Sequence, residues 1–285
     1  MENAANLATS IAHRLPDDIL EMIFLSCLPQ SNREHHDYVA FPYPSPCEAP
    51  MICGQTCRSW RDLALSSPRL WSRLGIYLPE KFKSFVWIKE WLRRSQSVPL
   101  YFNWTPSPTS IYGQMDYQSD RTVTAAMKLL LAESKRWHQV HIGDGGKILQ
   151  QLLAALKYGV PMLATLQVYH RGLDWQQGDF CVDITAAPRL QYLNVTSVFR
   201  LTDISATHGL RQFIMKETPC WSTSWSRSFM STSGILQLFS ACPTLELVDI
   251  HILEPGVVLP PRQVIMPSLR QLSLRFASYV HHIEM

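Results

Sequence analysis

Charge is scarce in this 285-residue chain: Asp, Glu, Lys and Arg together make up 17%, below the ~25% of an average soluble domain. The 26 basic residues exceed the 23 acidic ones by only three. Division at residue 80 gives −3 before it and +6 after it, and neither part has the basic density of a dedicated nucleic-acid binder. Long apolar runs are missing too. The stretch around Leu129, Leu130 and Leu131 falls far short of the ~20 residues that cross a bilayer, so no membrane partner is expected. No basic-then-apolar leader opens the chain, and its seven cysteines are an odd, scattered set, unlike a secreted disulfide framework. The expectation is free thiols in a reducing compartment, cytoplasmic and/or nuclear. The sequons at Asn103 and Asn194 are then chance matches.

Catalytic signatures are equally absent. There is no G-x-S-x-G and no H-E-x-x-H, and GDGGKIL at 143–149 lacks the spacing of a phosphate-cradling loop and reads as a turn. His35, His36, Cys47, Cys53 and Cys57 fall close together, yet without the paired C-x2-C or H-x3-H spacing that zinc needs. No enzyme, no metal and no cofactor is expected. With 46% hydrophobic residues, the chain can bury a large core in one large or two modest domains.

The first dense pattern is RLPDDILEMIFLSCLP. Pro16 suits a first helical turn, and Asp17 and Asp18 favour the positive end of a helix dipole. Ile19, Ile23 and Cys27 form one column, Leu20, Phe24 and Leu28 the next, together a broad apolar stripe ended by Pro29. Residues 30–48 are polar and proline-studded, an inserted loop. Pattern resumes at Ile52, where Cys53, Cys57, Trp60 and Ala64 share one face of a helix expected to run to about Leu65. Ser67 and Pro68 then start a third short helix carrying Leu70, Trp71 and Leu74. Three such helices cannot cover their own tryptophans, so a partner or a following element must help.

These residues resemble the F-box family: Leu15-Pro16, Ile19-Leu20, Ile23-Phe24 and Leu28, then Cys57-Arg58-x-Trp60-Arg61-x-Leu63, closing on Leu70-Trp71-x-x-Leu74. The 30–48 loop departs from the usual spacing and looks like the variant of basidiomycete fungal F-box proteins. The resemblance implies docking on a Skp-type adaptor and, through it, a cullin-RING ubiquitin ligase. It places Leu15, Pro16, Ile19, Leu20 and Ile23 toward the adaptor, and Phe24, Leu28, Cys57, Trp60 and Trp71 in internal packing.

From residue 137 a phrase returns: WHQVHI from Trp137, LATLQV from Leu163, LQYLNV from Leu190, LRQFIM from Leu210, LELVDI from Leu245 and LRQLSL from Leu269. Pro161, Pro188, Pro243 and Pro267 each precede a copy by two residues and should end a helix and begin an extended segment. The spacings are 26, 27, 20, 35 and 24 residues, with helical stretches between, clearest in TVTAAMKLLLAESKRW, KILQQLLAALKYG and ILQLFSAC. Ahead of them lie a helix, SFVWIKEWLRR, and a starting strand, VPLYFNW. Stacked units of helix, proline turn and strand form an α/β solenoid with a parallel sheet.

The whole resembles leucine-rich-repeat F-box proteins. The expected organisation is a leader at 1–13, an F-box domain at 14–79, and a repeat domain at 80–285 without a visible C-terminal cap, as if truncated. The expected function is substrate recognition for a Skp-cullin-F-box ubiquitin ligase. The alternative is an F-box-like repeat scaffold outside any ligase. An unidentified target protein would meet the alternate strand positions Gln139, His141, Gln167, Tyr169, Tyr192, Asn194, Gln212, Asp249, His251, Gln271 and Ser273. The loop CWSTSWSRSFMSTS adds Trp221, Trp225 and Arg227, residue types typical of binding anchors.

Overall fold

Proline geometry sets the rhythm of the C-terminal two thirds. In a computed structural model of the chain, Val160, Ala187, Cys242 and Met266 accept hydrogen bonds from the N–H of Leu163, Leu190, Leu245 and Leu269 at 3.0, 3.0, 3.2 and 3.4 Å. Each pair closes a four-residue turn whose second position is Pro161, Pro188, Pro243 or Pro267. That position requires φ near −60°, the value the pyrrolidine ring imposes. The leucine that closes the turn is fully buried at 163, 190 and 245, and the strand begins two residues later.

The structure describes residues 15–29, 41–78, 86–106, 121–143, 146–169, 180–196, 199–202, 209–216, 232–252 and 264–276. Elements run α1 (Asp17–Ser26), α2 (Arg58–Ser66), β1 (Arg73–Leu78), α3 (Val86–Ser95), β2 (Leu100–Pro106), α4 (Arg121–Ala132), β3 (Trp137–Gly143), α5 (Gly146–Lys157), β4 (Thr165–Tyr169), β5 (Phe180–Asp183), β6 (Tyr192–Thr196), β7 (Phe199–Thr202), β8 (Gln212–Lys216), α6 (Thr232–Ala241), β9 (Leu247–Ile252) and β10 (Gln271–Phe276). Short 3₁₀ turns lie at Ile52–Gln55, Pro68–Trp71 and Ser134–Arg136. The class is α/β. An eight-stranded sheet has the order β1-β2-β3-β4-β6-β8-β9-β10, and β5 and β7 form a separate parallel pair.

All six copies of the phrase are strands, and they pair without slippage. Val140 lies beside Leu166, Leu166 beside Leu193, Leu193 beside Phe213, Phe213 beside Val248 and Val248 beside Leu272, all in parallel. Alternation then sends Val140 and Ile142, Leu166 and Val168, Leu193 and Val195, Phe213 and Met215, and Val248 and Ile250 into the core. A relay of carbonyls at the strand starts fixes this register. Ala164 accepts from the N–H groups of Gln191 and Tyr192, Gln191 from Arg211 and Gln212, Arg211 from Glu246 and Leu247, and Glu246 from Arg270 and Gln271, at 2.7 to 3.1 Å. Helices supply matching stripes: Val123, Ala126, Met127 and Leu130 on α4, and Leu149, Leu152, Leu153 and Leu156 on α5, are buried at i, i+3, i+4 and i+7.

The chain divides into two compact units, 1–76 with 84–102, and 77–83 with 103–285. The first unit includes α3, which completes its core. The Trp71 indole stacks edge-on against Trp91 with centroids 4.9 Å apart, and the Arg94 guanidinium lies 4.4 Å over Trp71. Trp71 Nε1–H donates to the Ala64 carbonyl at 2.8 Å, and Trp91 Nε1–H to that of Arg73 at 3.0 Å. The cover that Trp71 requires is thus α3.

Two local expectations fail. The helix from Ile52 to Leu65 is broken, because Cys57 takes an extended conformation (φ −155°, ψ 174°) and starts α2 afresh. Leu74 is not helical. It and Ile76 alternate into the core from β1. Within the 30–48 stretch, Phe41 and Pro42 are buried, and Pro42 accepts from Gly75 N–H at 2.8 Å. A Cβ at 75 would stand 3.1 Å from the Phe41 carbonyl oxygen, so a side chain there would press the 41–42 backbone away from β1.

Candidate functional site

Two surfaces carry the residues singled out above, one in each unit. In the first, the apolar stripe of α1 separates into its two columns. Leu20, Phe24 and Leu28 point inward, and Phe24 meets Trp60 edge-on at 5.0 Å. Ile19, Ile23 and Cys27 remain exposed. Met22, which the sequence reading passed over, is the most exposed of this set at 63%. It lies one turn from Ile19, so helical periodicity could have found it. Leu20, which the resemblance places toward the adaptor, is 5% exposed and packs in the core of this unit. Leu15 is half-buried and Pro16 exposed at the start of α1, where Pro16 is the residue before the first helical turn.

In the second unit, the strand positions between the buried ones form transverse rows. Register places His141, Gln167, Asn194, Ile214, Asp249 and Ser273 in one row. Gln139, Thr165, Tyr192, Gln212, Leu247 and Gln271 form the row beside it. Burial along these rows is uneven. His141, Gln167 and Asn194 are buried, whereas Gln139, Tyr192, Gln212, Asp249 and Ser273 are half-buried and Gln271 is exposed. The burial is sustained by local bonding: the Gln139 amide lies 2.9 Å from His141 Nε2, and Asn194 Nδ2 donates to the Tyr192 hydroxyl at 3.3 Å. Burial pushes the His141 pKa down to about 4, so the ring is neutral at physiological pH. Asn194 Oδ1 and Asp249 Oδ1 are buried acceptors without a hydrogen bond. The other Asp249 oxygen meets Arg275 at 3.2 Å. Arg275, two residues beyond Ser273, is on the same face by the alternation rule and was missed only because the repeated phrase ends at Leu274.

The row presents neutral amides, hydroxyls and one ion pair. Its His141, Asp249 and Ser273 lie on β3, β9 and β10. At ~4.8 Å per strand, His141 and Asp249 are separated by about 19 Å, too far for a proton relay. Tyr169 and His251 fall in the strands as expected, beside Gly143 and Arg275, but their side chains lie outside the described residues. Trp221, Trp225 and Arg227 lie outside them altogether. Among the described residues, no group of three His, Cys, Asp or Glu could hold a metal ion, and no helix is long and apolar enough to cross a membrane.

No family model, curated protein or solved structure matches the chain. The functional reading therefore rests on these two surfaces.

Proposed function

We propose that the chain is the substrate-recognition subunit of a Skp-cullin-F-box ubiquitin ligase, cytoplasmic and/or nuclear, with α1 docking the adaptor and the sheet face of the second unit holding a target protein. The observation that carries the reading is the division of α1. A helix that buries Leu20, Phe24 and Leu28 yet leaves Ile19, Met22 and Ile23 at the surface presents apolar area that a partner would cover. Ile19 and Ile23 are positions that the F-box resemblance assigns to the adaptor. The subunit performs no chemistry. It raises the effective concentration of a bound target near the ligase's loaded conjugating enzyme.

The test is co-purification with a Skp-type adaptor. Pro16→Ala combined with Ile19→Asp should abolish it, because a charge in a desolvated apolar contact costs several kcal/mol. The circular dichroism spectrum should not change. Leu20→Ala is the contrasting variant: it should lower the melting temperature through the cavity it leaves. Full adaptor binding by the folded double variant overturns the adaptor assignment. A wild-type chain that fails to bind any Skp-type adaptor leaves the repeat scaffold outside a ligase as the correct reading.

A further inference from the structure

The last strand of the eight-stranded sheet leaves one flank open. Among the described residues, β10 has a hydrogen-bonded neighbour, β9, on one side only. Gln271 N–H donates to the Glu246 carbonyl. By alternation Ser273 and Arg275 also turn their backbone groups toward β9, while Leu272 and Leu274 turn their N–H and C=O outward. The side chains of these two leucines are exposed, although Val248 and Ile250 beside them in the register are wholly buried. The opposite edge of the sheet differs, since Leu74 and Ile76 of β1 are wholly buried. Sheets commonly blunt an open edge with charge or proline. β10 carries a single charge, Arg275, and Asp249 draws it back toward β9 at 3.2 Å.

We propose that the open flank of β10 is a pairing edge for a second copy of this chain, the two β10 strands joining antiparallel about a two-fold axis at Ser273. The occupant follows from the order of residues in QLSLRF. Pairing about Ser273 sets Leu272 of each copy opposite Leu274 of the other. These are the residues whose backbone groups point outward, so each such pair exchanges two N–H···O=C bonds. It is also the register in which both exposed leucines of one strand meet the exposed leucines of the other, replacing water on the core side of the sheet. On the polar side Arg275 of each copy faces Gln271 of the other, so the two cations stay apart and each keeps its Asp249. A slip of one residue would set Leu272 against Arg275 and Leu274 against Ser273, mixing the two faces of the sheet. Because the axis passes through Ser273, the polar row from His141 to Ser273 runs on into the same row of the second copy, and both polar faces look to the same side.

The test uses the full chain in sedimentation velocity over a concentration series. Two short strands make a small interface, so the expected result is a monomer when dilute that passes to a dimer as concentration rises. Hydrogen exchange at Leu272 and Leu274 should slow over the same series, while that at Leu193 and Val195 stays constant. Leu274→Lys, with an unchanged circular dichroism spectrum, should weaken the dimer by roughly tenfold or more, since it places a charge on the pairing edge. Covalent capture reads the register and stands even if that variant fails to fold. Opposed residues of a pair without hydrogen bonds lie ~4.5 Å apart between Cα atoms, within disulfide reach. Ser273→Cys should therefore give a linked dimer on mild oxidation, with mass spectrometry placing the bond at position 273 in both copies. Leu274→Cys, whose own counterpart lies on a diagonal ~7–8 Å away, should not link, nor should the unsubstituted chain. A chain that is monomeric at every concentration, a dimer indifferent to Leu274→Lys, or linkage through Leu274→Cys in place of Ser273→Cys overturns the proposal.

Discussion

His141 shows what enclosure does to a single side chain. Its pKa falls from the ordinary 6.5 to about 4 because burial disfavours the charged ring. Between those values the unfolded chain binds a proton that the folded chain refuses. Above pH 6.5 the residue makes no difference to stability, and as pH falls from 6.5 toward 4 the folded state loses up to about 3 kcal/mol at ~1.4 per unit. His138 is moved in the same direction, by burial and then by Arg189, so the loss is shared. Denaturant unfolding at pH 7.5 and at pH 4.5 should show a smaller difference for His141→Gln than for wild type. Equal differences would mean that the ring is hydrated. The placement of His141, Gln167 and Asn194 on the polar face was legible from alternation alone. Their burial was not, because alternation says which face a residue takes and nothing of what neighbouring side chains, here Gln139 and Tyr192, close over it.

At the scale of elements, the six strands that carry the phrase could be read in advance because one signal was repeated six times, and in four copies it was reinforced by a proline whose fixed φ suits the turn. β5 and β7 offered no such repetition. FCVD and FRLT are four residues each, too short for a period to declare itself. β1 was misread for a different reason: Trp71 and Leu74 are spaced like a helical pair, while Leu74 and Ile76 are spaced like a strand, and the two patterns share a residue. The break at Cys57 had no local signal, since Cys53, Cys57, Trp60 and Ala64 fit an unbroken helix. The last strand yields a direct measurement. Leu272 and Leu274 are 47% and 39% exposed, whereas the same positions on β9, Val248 and Ile250, are wholly buried. Amide hydrogen exchange should accordingly be faster at Leu272 and Leu274 than at Leu193 and Val195, by more than intrinsic rates explain. Equal protection in a monomeric sample would show that the outer side of β10 is covered in solution.

For the molecule as a whole, the two-unit division separates two kinds of order. The first unit is held by individual partners: Trp71 with Trp91, Phe24 with Trp60, Gly75 with Pro42. The second is held by one contact made repeatedly. Each strand in the relay from β6 to β10 is aligned by the carbonyl at the start of its neighbour, and this alignment is indifferent to how many residues were spent in between, which is why spacings as unequal as 20 and 35 meet in one register. The chain therefore measures length locally, from each turn to its own strand, and is insensitive to length elsewhere. Adding two residues after Gly159, beyond the end of α5, should change the melting temperature by no more than a few degrees, because loop closure depends only weakly on loop length. One residue added between Leu166 and Gln167 should cost far more, since it turns Val168 outward and a polar side chain inward. Such a sheet can gain or lose chain between its strands and still present the same row of side chains, so what surrounds its polar face is free to vary while the frame beneath stays constant.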